Sequence, residues 1–124
     1  MAKKFNLKGY EALKTSLAEV AGANEINVYF SGSKSDAGVS WCPDCVTAEP
    51  HVLAAVDKFA KDSVFMYVDV GDRPFWKDMK NPFRTDKDIH IQVIPTLIRW
   101  KAQQRLEGDQ CEKSDLLEMF FTDD

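Results

Sequence analysis

The sequence predicts one α/β domain, residues 1–124, in which helices cover both faces of a mixed central β-sheet. Three observations lead to this fold class. A strand pattern, a helix pattern and a second strand pattern follow each other between residues 26 and 70, which is the order of a right-handed crossover between parallel strands. Two more strand patterns lie close together after residue 93, as in an antiparallel hairpin. Helix patterns before and after these segments supply the layers that bury the sheet.

The first half of the chain alternates between helix and strand signals. Residues 26–30 predict a short strand, and the polar, glycine-containing residues 31–40 predict a loop. A helix is predicted over residues 46–61, where Pro50 should bend it because proline lacks a backbone N–H. Before the strand, residues 22–24 can end a first helix. The apolar stripe of that helix consists of Tyr10, Leu13, Leu17 and Val20.

The second half carries three strand signals and one clear helix. Residues 64–70 and 94–100 have strand patterns, and residues 104–107 form a short partner strand that turns at Gly108. Ser114 is a plausible N-cap for a final helix. The apolar face of that helix consists of Leu116, Leu117, Phe120 and Phe121.

Residues 71–91 form a long segment that carries Phe75, Trp76 and Phe83. A bare loop of that length is unusual in a compact domain. We therefore expect a helix near residues 82–91, and we favour packing over a substrate-contact role for the aromatic side chains.

Composition argues against several classes of partner. The formal net charge is −4 and no basic stripe is present, so a nucleic-acid partner is not expected. No apolar run is long enough to span a bilayer, and the N-terminal residues lack the apolar core of an export signal. Secreted, disulfide-stapled folds normally pair their cysteines, whereas this chain has three, so a reducing, cytoplasmic compartment is expected. We also expect a monomer, since no exposed apolar stripe is evident.

The most informative motif is Cys42-Pro43-Asp44-Cys45, which follows a strand signal and precedes a helix signal. Two cysteines at this spacing can close and reopen a disulfide, and free backbone N–H groups at a helix start favour the thiolate of the first one. We therefore assign Cys42 as the nucleophile and Cys45 as the resolving thiol. Pro43 suits an early helical position. Asp44 opposes the thiolate by Coulomb repulsion while the helix dipole favours it, so the net effect stays open from the sequence.

Other interpretations of the cysteines carry less weight. Half of a zinc site would need two more ligands, and the candidates His51, His90 and Cys111 are scattered along the chain, so no metal is predicted. An inert buried pair fits poorly with the polar loop beside it. Cys111 is interpreted as a bystander thiol rather than a third redox partner. His51 is interpreted as a surface residue rather than a general base.

A proline at a strand start supports the redox interpretation. Within Ile94-Pro95-Thr96 the proline cannot donate to a strand ladder, so Pro95 is either an edge residue or part of a cis peptide bond. Beside a dithiol we favour the cis form, because it leaves neighbouring backbone groups free to pair with an extended substrate.

Separated motifs along nearly the whole chain resemble one family. The dithiol motif, Pro50 five residues after Cys45, and Ile94-Pro95-Thr96 resemble the thioredoxin fold, in which the proline at the position of Pro95 is cis and faces the dithiol. The loop of residues 31–40 sets the chain apart from a thioredoxin proper, whose motif follows the strand almost directly. The more specific motifs are Trp41-Cys42-Pro43-Asp44-Cys45, Ala48-Glu49-Pro50, Pro74-Phe75-Trp76-Lys77-Asp78, Asn81 and Phe83-Arg84. These resemble the 14-kDa thioredoxin-related proteins, also called the thioredoxin domain-containing protein 17 family.

The resemblance implies a cytosolic thiol–disulfide oxidoreductase that acts as a disulfide reductase. It implies no bound cofactor: electrons come from NADPH through thioredoxin reductase and pass to small or selected disulfides. A peroxidase activity is also implied. In the family pattern Cys42 is the nucleophile, Cys45 is the resolving thiol, Pro43 and Asp44 tune the redox potential, and Trp41, Pro95 and Thr96 border the substrate groove.

The sequence departs from thioredoxin at one buried position. Where a thioredoxin carries an acid beneath its resolving cysteine, alignment of the strand places Tyr29, which is a poor base near neutral pH. Deprotonation of Cys45 then needs water or another group. Glu49, one helical turn further along, is a candidate, although a solvated helix carboxylate is the simpler interpretation.

Two other function classes remain open. A glutathione-dependent oxidoreductase of the glutaredoxin type is compatible with the Cys-Pro-X-Cys pattern, but a glutaredoxin carries tyrosine where this chain has Asp44, whose charge suits an anionic tripeptide poorly. A non-catalytic interaction module on the same scaffold is the other class, because a fold does not fix a function. The intact dithiol argues against it.

Overall fold

The structure, a computed structural model, describes residues 3–122 as a five-stranded sheet with five α-helices and one 3₁₀-helix. The strands are β1 (Lys3–Lys8), β2 (Ile26–Ser31), β3 (Val64–Asp69), β4 (Thr96–Arg99) and β5 (Arg105–Glu107). The α-helices are α1 (Tyr10–Glu19), α2 (Pro43–Phe59), α3 (Arg73–Lys77), α4 (Pro82–Thr85) and α5 (Ser114–Thr122). The 3₁₀-helix spans Gly108–Glu112.

The sheet is mixed, with the strand order β1-β3-β2-β4-β5. Strands β1 and β2 run parallel to β3, whereas β4 runs antiparallel to both β2 and β5. The unit β2–α2–β3 is the predicted crossover, and β4–β5 is the predicted hairpin. The predicted fold class is therefore confirmed. In this topology the loop after β2 starts at the carboxyl end of a central strand, where open α/β sheets place their functional groups.

Two apolar cores cover the two faces of the sheet. The first core packs α1 and the segment between β3 and β4, including Trp76 and Phe83, against one face. The second core packs α2 and α5 against the other face. Side chains alternate along a strand, so Phe30 faces the first core while Tyr29 faces the second. This alternation puts Tyr29 on the side of the sheet that carries the cysteine helix.

The predicted element order is wrong at its start, because the chain opens with β1 rather than with a helix. Strand β1 pairs along its whole length with β3, with Lys3 opposite Val64 and Lys8 opposite Asp69. Phe5 packs against the first core from this strand. Its apolar alternation covers only two residues between lysines, which is too short a signal to separate a strand from a polar segment.

The segment between β3 and β4 contains two short helices rather than one longer helix. The predicted helix over residues 82–91 is wrong in extent, since α4 ends at Thr85, and the sequence pattern does not predict α3. Side chains cap both helices: Asp72 accepts from the Phe75 N–H, and Asn81 caps α4. Burial of Trp76 confirms the predicted packing role, whereas Phe75 is exposed.

Three boundaries differ in smaller ways. Helix α2 begins at Pro43, three residues before the predicted helix, and contains Pro50 as expected. The turn of the β4–β5 hairpin precedes Arg105, while Gly108 starts the 3₁₀-helix instead of a strand turn. The last helix includes Ser114 as its first residue rather than as its N-cap, and the Leu117 N–H donates to the Lys113 carbonyl at 3.0 Å. Within residues 3–122 no helix combines the length and apolar character needed to cross a membrane.

Candidate functional site

The cysteine motif occupies the start of α2, where the sequence predicts it. Cys42 is the N-cap residue with extended backbone, and Pro43 opens the helix. Cys42 and Cys45 are joined by a disulfide, with their Cα atoms 5.2 Å apart. The Cys45 backbone N–H donates to Cys42 Sγ at 3.2 Å. A free amide of the first helical turn therefore points at the sulfur that becomes a thiolate when the disulfide is reduced.

The two cysteines differ in exposure because of the way α2 packs. Cys42 keeps 5% of its surface accessible at the helix start, whereas Cys45 keeps none. The intervening Pro43 and Asp44 are exposed, so the Asp44 charge faces solvent. A buried stripe along α2 fixes this arrangement: Cys45, Ala48, Val52, Ala55 and Val56.

Ser40 holds the backbone of Cys42. The Cys42 N–H donates to Ser40 Oγ at 3.1 Å, and the same hydroxyl donates to the Gly32 carbonyl at 2.9 Å. Ser40 also pairs with Lys34 through an isolated antiparallel bridge. Residues 32–40, here named the motif loop, lie within the predicted loop, and the bridge folds this loop back on itself.

Trp41 connects the motif to the segment after β3. Its indole N–H donates to the Gly71 carbonyl at 3.0 Å. The ring lies directly against Gly32: a Cβ at that position would be 2.7 Å from Trp41 Cε2. Trp41 is half-buried, and a glycine at position 32 leaves room for its ring.

The Ile94–Pro95 peptide bond is cis, as predicted. The Ile94 carbonyl oxygen lies 3.8 Å from Cys42 Sγ, which places this backbone beside the disulfide. Pro95 is buried, and its carbonyl accepts from the Gly108 N–H at 2.8 Å. Thr96 is fully buried, and its hydroxyl donates to the Val93 carbonyl at 2.7 Å. The Thr96 side chain therefore faces inward, and its backbone lies between β2 and β5, opposite Phe30 and Glu107. The groove role of Thr96 stays a prediction.

Tyr29 lies fully buried in the second core, at the position that the sequence assigns to a missing acid. Among residues 3–122 no side chain or backbone group forms a hydrogen bond with its hydroxyl. Burial is the main cause that raises the pKa of Tyr29 above its ordinary value. Tyr29 is consequently neutral over the physiological range and does not act as a base there.

Glu49 is held by two partners and is not the solvated helix carboxylate considered above. Its Oε2 accepts from Lys34 Nζ at 2.9 Å, and its Oε1 accepts from the Tyr67 hydroxyl at 2.6 Å. Burial, followed by this hydrogen bond, raises the pKa of Tyr67 above its ordinary value. We name these three residues the Glu49 cluster. The carboxylate is thus held between the motif loop and β3.

The remaining candidates lie apart from the disulfide. Cys111 is fully buried in the second core, and burial raises the pKa of its thiol to about 12. This agrees with its interpretation as a bystander. His51 is exposed on α2. Within residues 3–122 no group of three or more His, Cys, Asp or Glu side chains is arranged to hold a metal ion.

Sequence reasoning missed Ser40, Lys34 and Tyr67. Ser40 offers one local signal, because a serine hydroxyl often accepts from the backbone N–H two residues further on, which here belongs to Cys42. Lys34 and Tyr67 offered none, because their relation to the motif depends on how the motif loop and β3 approach α2.

Solved thioredoxins share this fold. A thioredoxin of Schistosoma mansoni aligns with a TM-score of 0.62 at 20% identity, over 97% of this chain and 99% of that chain. Mitochondrial thioredoxin 3 of Saccharomyces cerevisiae aligns with a TM-score of 0.60 at 15% identity, over 98% and 94% of the two chains. The sheet order, the cis proline and the Cys-X-X-Cys pair at a helix start define this chain as a thioredoxin-like redox protein.

Sequence comparison narrows the class to one family. Residues 6–123 match the family model described as thioredoxin domain-containing protein 17-like, thioredoxin domain. Thioredoxin domain-containing protein 17 of Danio rerio is 45% identical over 94% of this chain and 92% of its own length, and that of Homo sapiens is 37% identical over 98% and 97%. The thioredoxin-like protein Clot of Arabidopsis thaliana is 32% identical over 85% of each chain. The chain belongs to the thioredoxin domain-containing protein 17-like family.

Proposed function

We propose that this chain is a disulfide reductase that uses Cys42 as nucleophile and Cys45 as resolving thiol. The observation that carries the proposal is the Cys42–Cys45 disulfide at the start of α2, with the Cys45 N–H directed at Cys42 Sγ. Membership of a thioredoxin-like family supports the same chemistry. The difference in burial supports the division of roles, since the attacking sulfur must be reached by substrate and the resolving one need not be.

The proposed reaction transfers two electrons in two exchanges. The Cys42 thiolate attacks one sulfur of a substrate disulfide, forms a mixed disulfide and releases the other substrate sulfur as a thiolate. The Cys45 thiol loses its proton to solvent and attacks Cys42 Sγ, which releases the second substrate thiolate and restores the Cys42–Cys45 disulfide. The substrate gains two electrons, and the enzyme ends in the oxidised state that the structure represents.

The remaining expectations complete the proposal. Thioredoxin reductase, using NADPH, returns the disulfide to the dithiol, so the chain itself needs no bound cofactor. The protein acts as a cytoplasmic monomer on small or selected disulfides. Trp41 and the Ile94–Pro95 backbone lie beside the disulfide and border the substrate groove, and the exposed Pro43 and Asp44 tune its potential.

The test measures NADPH oxidation by thioredoxin reductase with cystine or insulin as the final acceptor. Wild type, Cys42→Ser and Cys111→Ser are compared, the last as a matched control for loss of a cysteine outside the motif. We expect turnover on cystine and little on insulin, lost in Cys42→Ser and kept in Cys111→Ser. The same acceptors are tested with glutathione in place of thioredoxin reductase as the electron donor. Activity with glutathione alone would place the protein in the glutaredoxin class, and inactivity with both donors would favour a non-catalytic interaction module.

Peroxidase activity is the second expectation. In that reaction the Cys42 thiolate attacks one peroxide oxygen and becomes a sulfenic acid while water leaves, and Cys45 then displaces a second water to form the disulfide. Replacing cystine with hydrogen peroxide in the same assay tests it. Equal NADPH oxidation by wild type and Cys42→Ser would refute it.

A further inference from the structure

The Glu49 cluster joins three parts of the chain that are distant in sequence: the motif loop, α2 and β3. Glu49 engages Lys34 at 2.9 Å through one oxygen and the Tyr67 hydroxyl at 2.6 Å through the other. The Lys34 ammonium also lies 5.2 Å from the centre of the Tyr67 ring. Each member of the cluster therefore contacts both of the others, and the loop is attached to the helix and to the sheet at one point.

A second set of contacts leads from Lys34 to the nucleophile. Lys34 and Ser40 are opposite each other in the antiparallel bridge that closes the motif loop. Between them the Ser35 N–H donates to the Val39 carbonyl at 2.9 Å. Ser40 is buried and accepts the Cys42 N–H at 3.1 Å. Glu49 thus fixes the beginning of the motif loop at Lys34, and Ser40 at the end of the loop holds the backbone of Cys42.

Partial burial distinguishes this cluster from an ordinary surface ion pair. The Lys34 side chain is 39% exposed, but that of Glu49 is only 22% exposed, and the Tyr67 hydroxyl adds a charge-assisted hydrogen bond to the second Glu49 oxygen. A useful comparison is Lys4–Asp57, an ion pair of 2.8 Å between β1 and the same helix, whose side chains are 45% and 65% exposed. Pairs as exposed as Lys4–Asp57 contribute little.

We propose that the Glu49 cluster is a positioning device for the nucleophile: it fixes the motif loop so that Ser40 keeps the Cys42 backbone at the start of α2. The inference rests on the proposed function, since it takes Cys42 to be the attacking sulfur. Cys42 Sγ accepts the Cys45 N–H only while Cys42 occupies the N-cap position. Loosening the loop weakens that hydrogen bond, which favours the thiolate, so the Cys42 thiol becomes harder to ionise.

The test is the pH dependence of Cys42 alkylation by iodoacetamide in reduced protein. All variants carry Cys45→Ser, which leaves Cys42 as the reactive thiol of the motif. Three near-isosteric changes each remove one member of the cluster: Glu49→Gln, Tyr67→Phe and Lys34→Met. Asp57→Asn is the matched control, because it removes an ion pair of similar length from the same helix. The melting temperature of every variant is recorded in parallel.

Positioning predicts the same direction of change in all three variants. The pH midpoint of Cys42 alkylation should rise by about 0.5 pH unit in each variant, which lowers the alkylation rate about three-fold at pH values below the midpoint. Asp57→Asn should leave the pH midpoint unchanged. A purely electrostatic influence predicts opposite shifts, because Glu49→Gln removes a negative charge and Lys34→Met a positive one. Opposite shifts would overturn the proposal, and so would a lowered melting temperature with an unchanged midpoint. Alkylation needs no disulfide substrate, so the two proposals fail in different assays: a silent reductase assay overturns the proposed function, whereas the alkylation midpoints decide whether the cluster positions Cys42.

Discussion

Replacing Asn81 with alanine should loosen the segment between β3 and β4 while leaving its apolar packing in place. Asn81 is 3% exposed. Its Nδ2 donates to the Trp76 carbonyl at 2.9 Å and to the Asp78 carbonyl at 3.0 Å, and its Oδ1 accepts the Arg84 N–H at 3.2 Å. One amide side chain therefore ties the end of α3 to the start of α4.

The expected loss of stability depends on whether the former partners of the Asn81 side chain keep other hydrogen bonds. The Trp76 carbonyl still accepts from Arg84 Nε at 2.9 Å, and the Asp78 carbonyl still accepts the Asn81 backbone N–H at 3.1 Å. The Arg84 N–H keeps the Asn81 carbonyl at 3.0 Å. The Phe75 carbonyl, which Asn81 Nδ2 also reaches at 3.4 Å, keeps the Asp78 N–H at 3.2 Å. No buried polar group is orphaned, so loss of these side-chain bonds, including the cap, should lower the free energy of unfolding by about 2–3 kcal/mol.

Asn81→Asp is the sharper companion variant because it has nearly the same shape. It keeps the oxygen that caps α4 and replaces the donating amide with an oxygen that faces the Trp76 and Asp78 carbonyls. At about pH 7 the buried carboxylate should cost more than alanine does, about 3–5 kcal/mol. These surroundings raise its folded-state pKa, so the cost is absent below the unfolded-state pKa of about 3.9 and grows as the pH rises above it.

Urea unfolding followed by tryptophan fluorescence at about pH 5 and about pH 7 measures both variants. Asn24→Ala, at an exposed asparagine, is the control and should lie within about 0.5 kcal/mol of wild type. The reasoning is refuted if Asn81→Ala also stays within that range. It is equally refuted if Asn81→Asp is no less stable than Asn81→Ala at the higher pH.

Three further predictions concern the surroundings of the cysteines. Gly32→Ala should cost about 1–3 kcal/mol, because its Cβ would meet the Trp41 ring at 2.7 Å; a urea midpoint equal to wild type would contradict this. Asp44→Asn should lower the pKa of Cys42 by removing a repulsive charge, and a thiolate absorbance titration showing an unchanged or raised value would count against it. Cys111, whose thiol pKa is raised to about 12 by burial, should resist iodoacetamide at about pH 8 in the native reduced protein and react after unfolding. Mass spectrometry that finds Cys111 labelled in the native state would show that the core opens.

The central part of the fold could be predicted because its signals are local and strong. Strand β2 and strand β3 are apolar runs of ordinary length, and the helix between them carries a regular buried stripe. The disulfide joins Cys42 to Cys45, three residues further along the same helical turn, and this spacing can be read directly from the sequence. Proline chemistry, taken together with the dithiol, also predicts the cis peptide bond before Pro95.

Elements that depend on distant partners could not be predicted in the same way. The end of α4 is one case: the Asp86 side chain accepts the Asp88 N–H at 2.8 Å and also the Tyr10 hydroxyl, so a residue of α1 helps to fix a turn that sequence spacing continues as helix. The Glu49 cluster is another case. Glu49 lies 15 residues from Lys34 and 18 from Tyr67, and only the packed sheet brings the three together.

The two outer strands of the sheet have a consequence for how copies of this chain behave at high concentration. An outer strand offers unpaired backbone groups to a strand from another molecule, and such pairing starts aggregation. Strand β5 is only three residues long, which leaves little backbone to extend. Strand β1 has six residues but includes Lys3, Lys4 and Lys8, so a second copy added there would bring ammonium groups together. At β5 the short strand opposes the addition of another strand, whereas at β1 the repulsion between lysines opposes it. Only the repulsion at β1 decreases when added salt screens the charges.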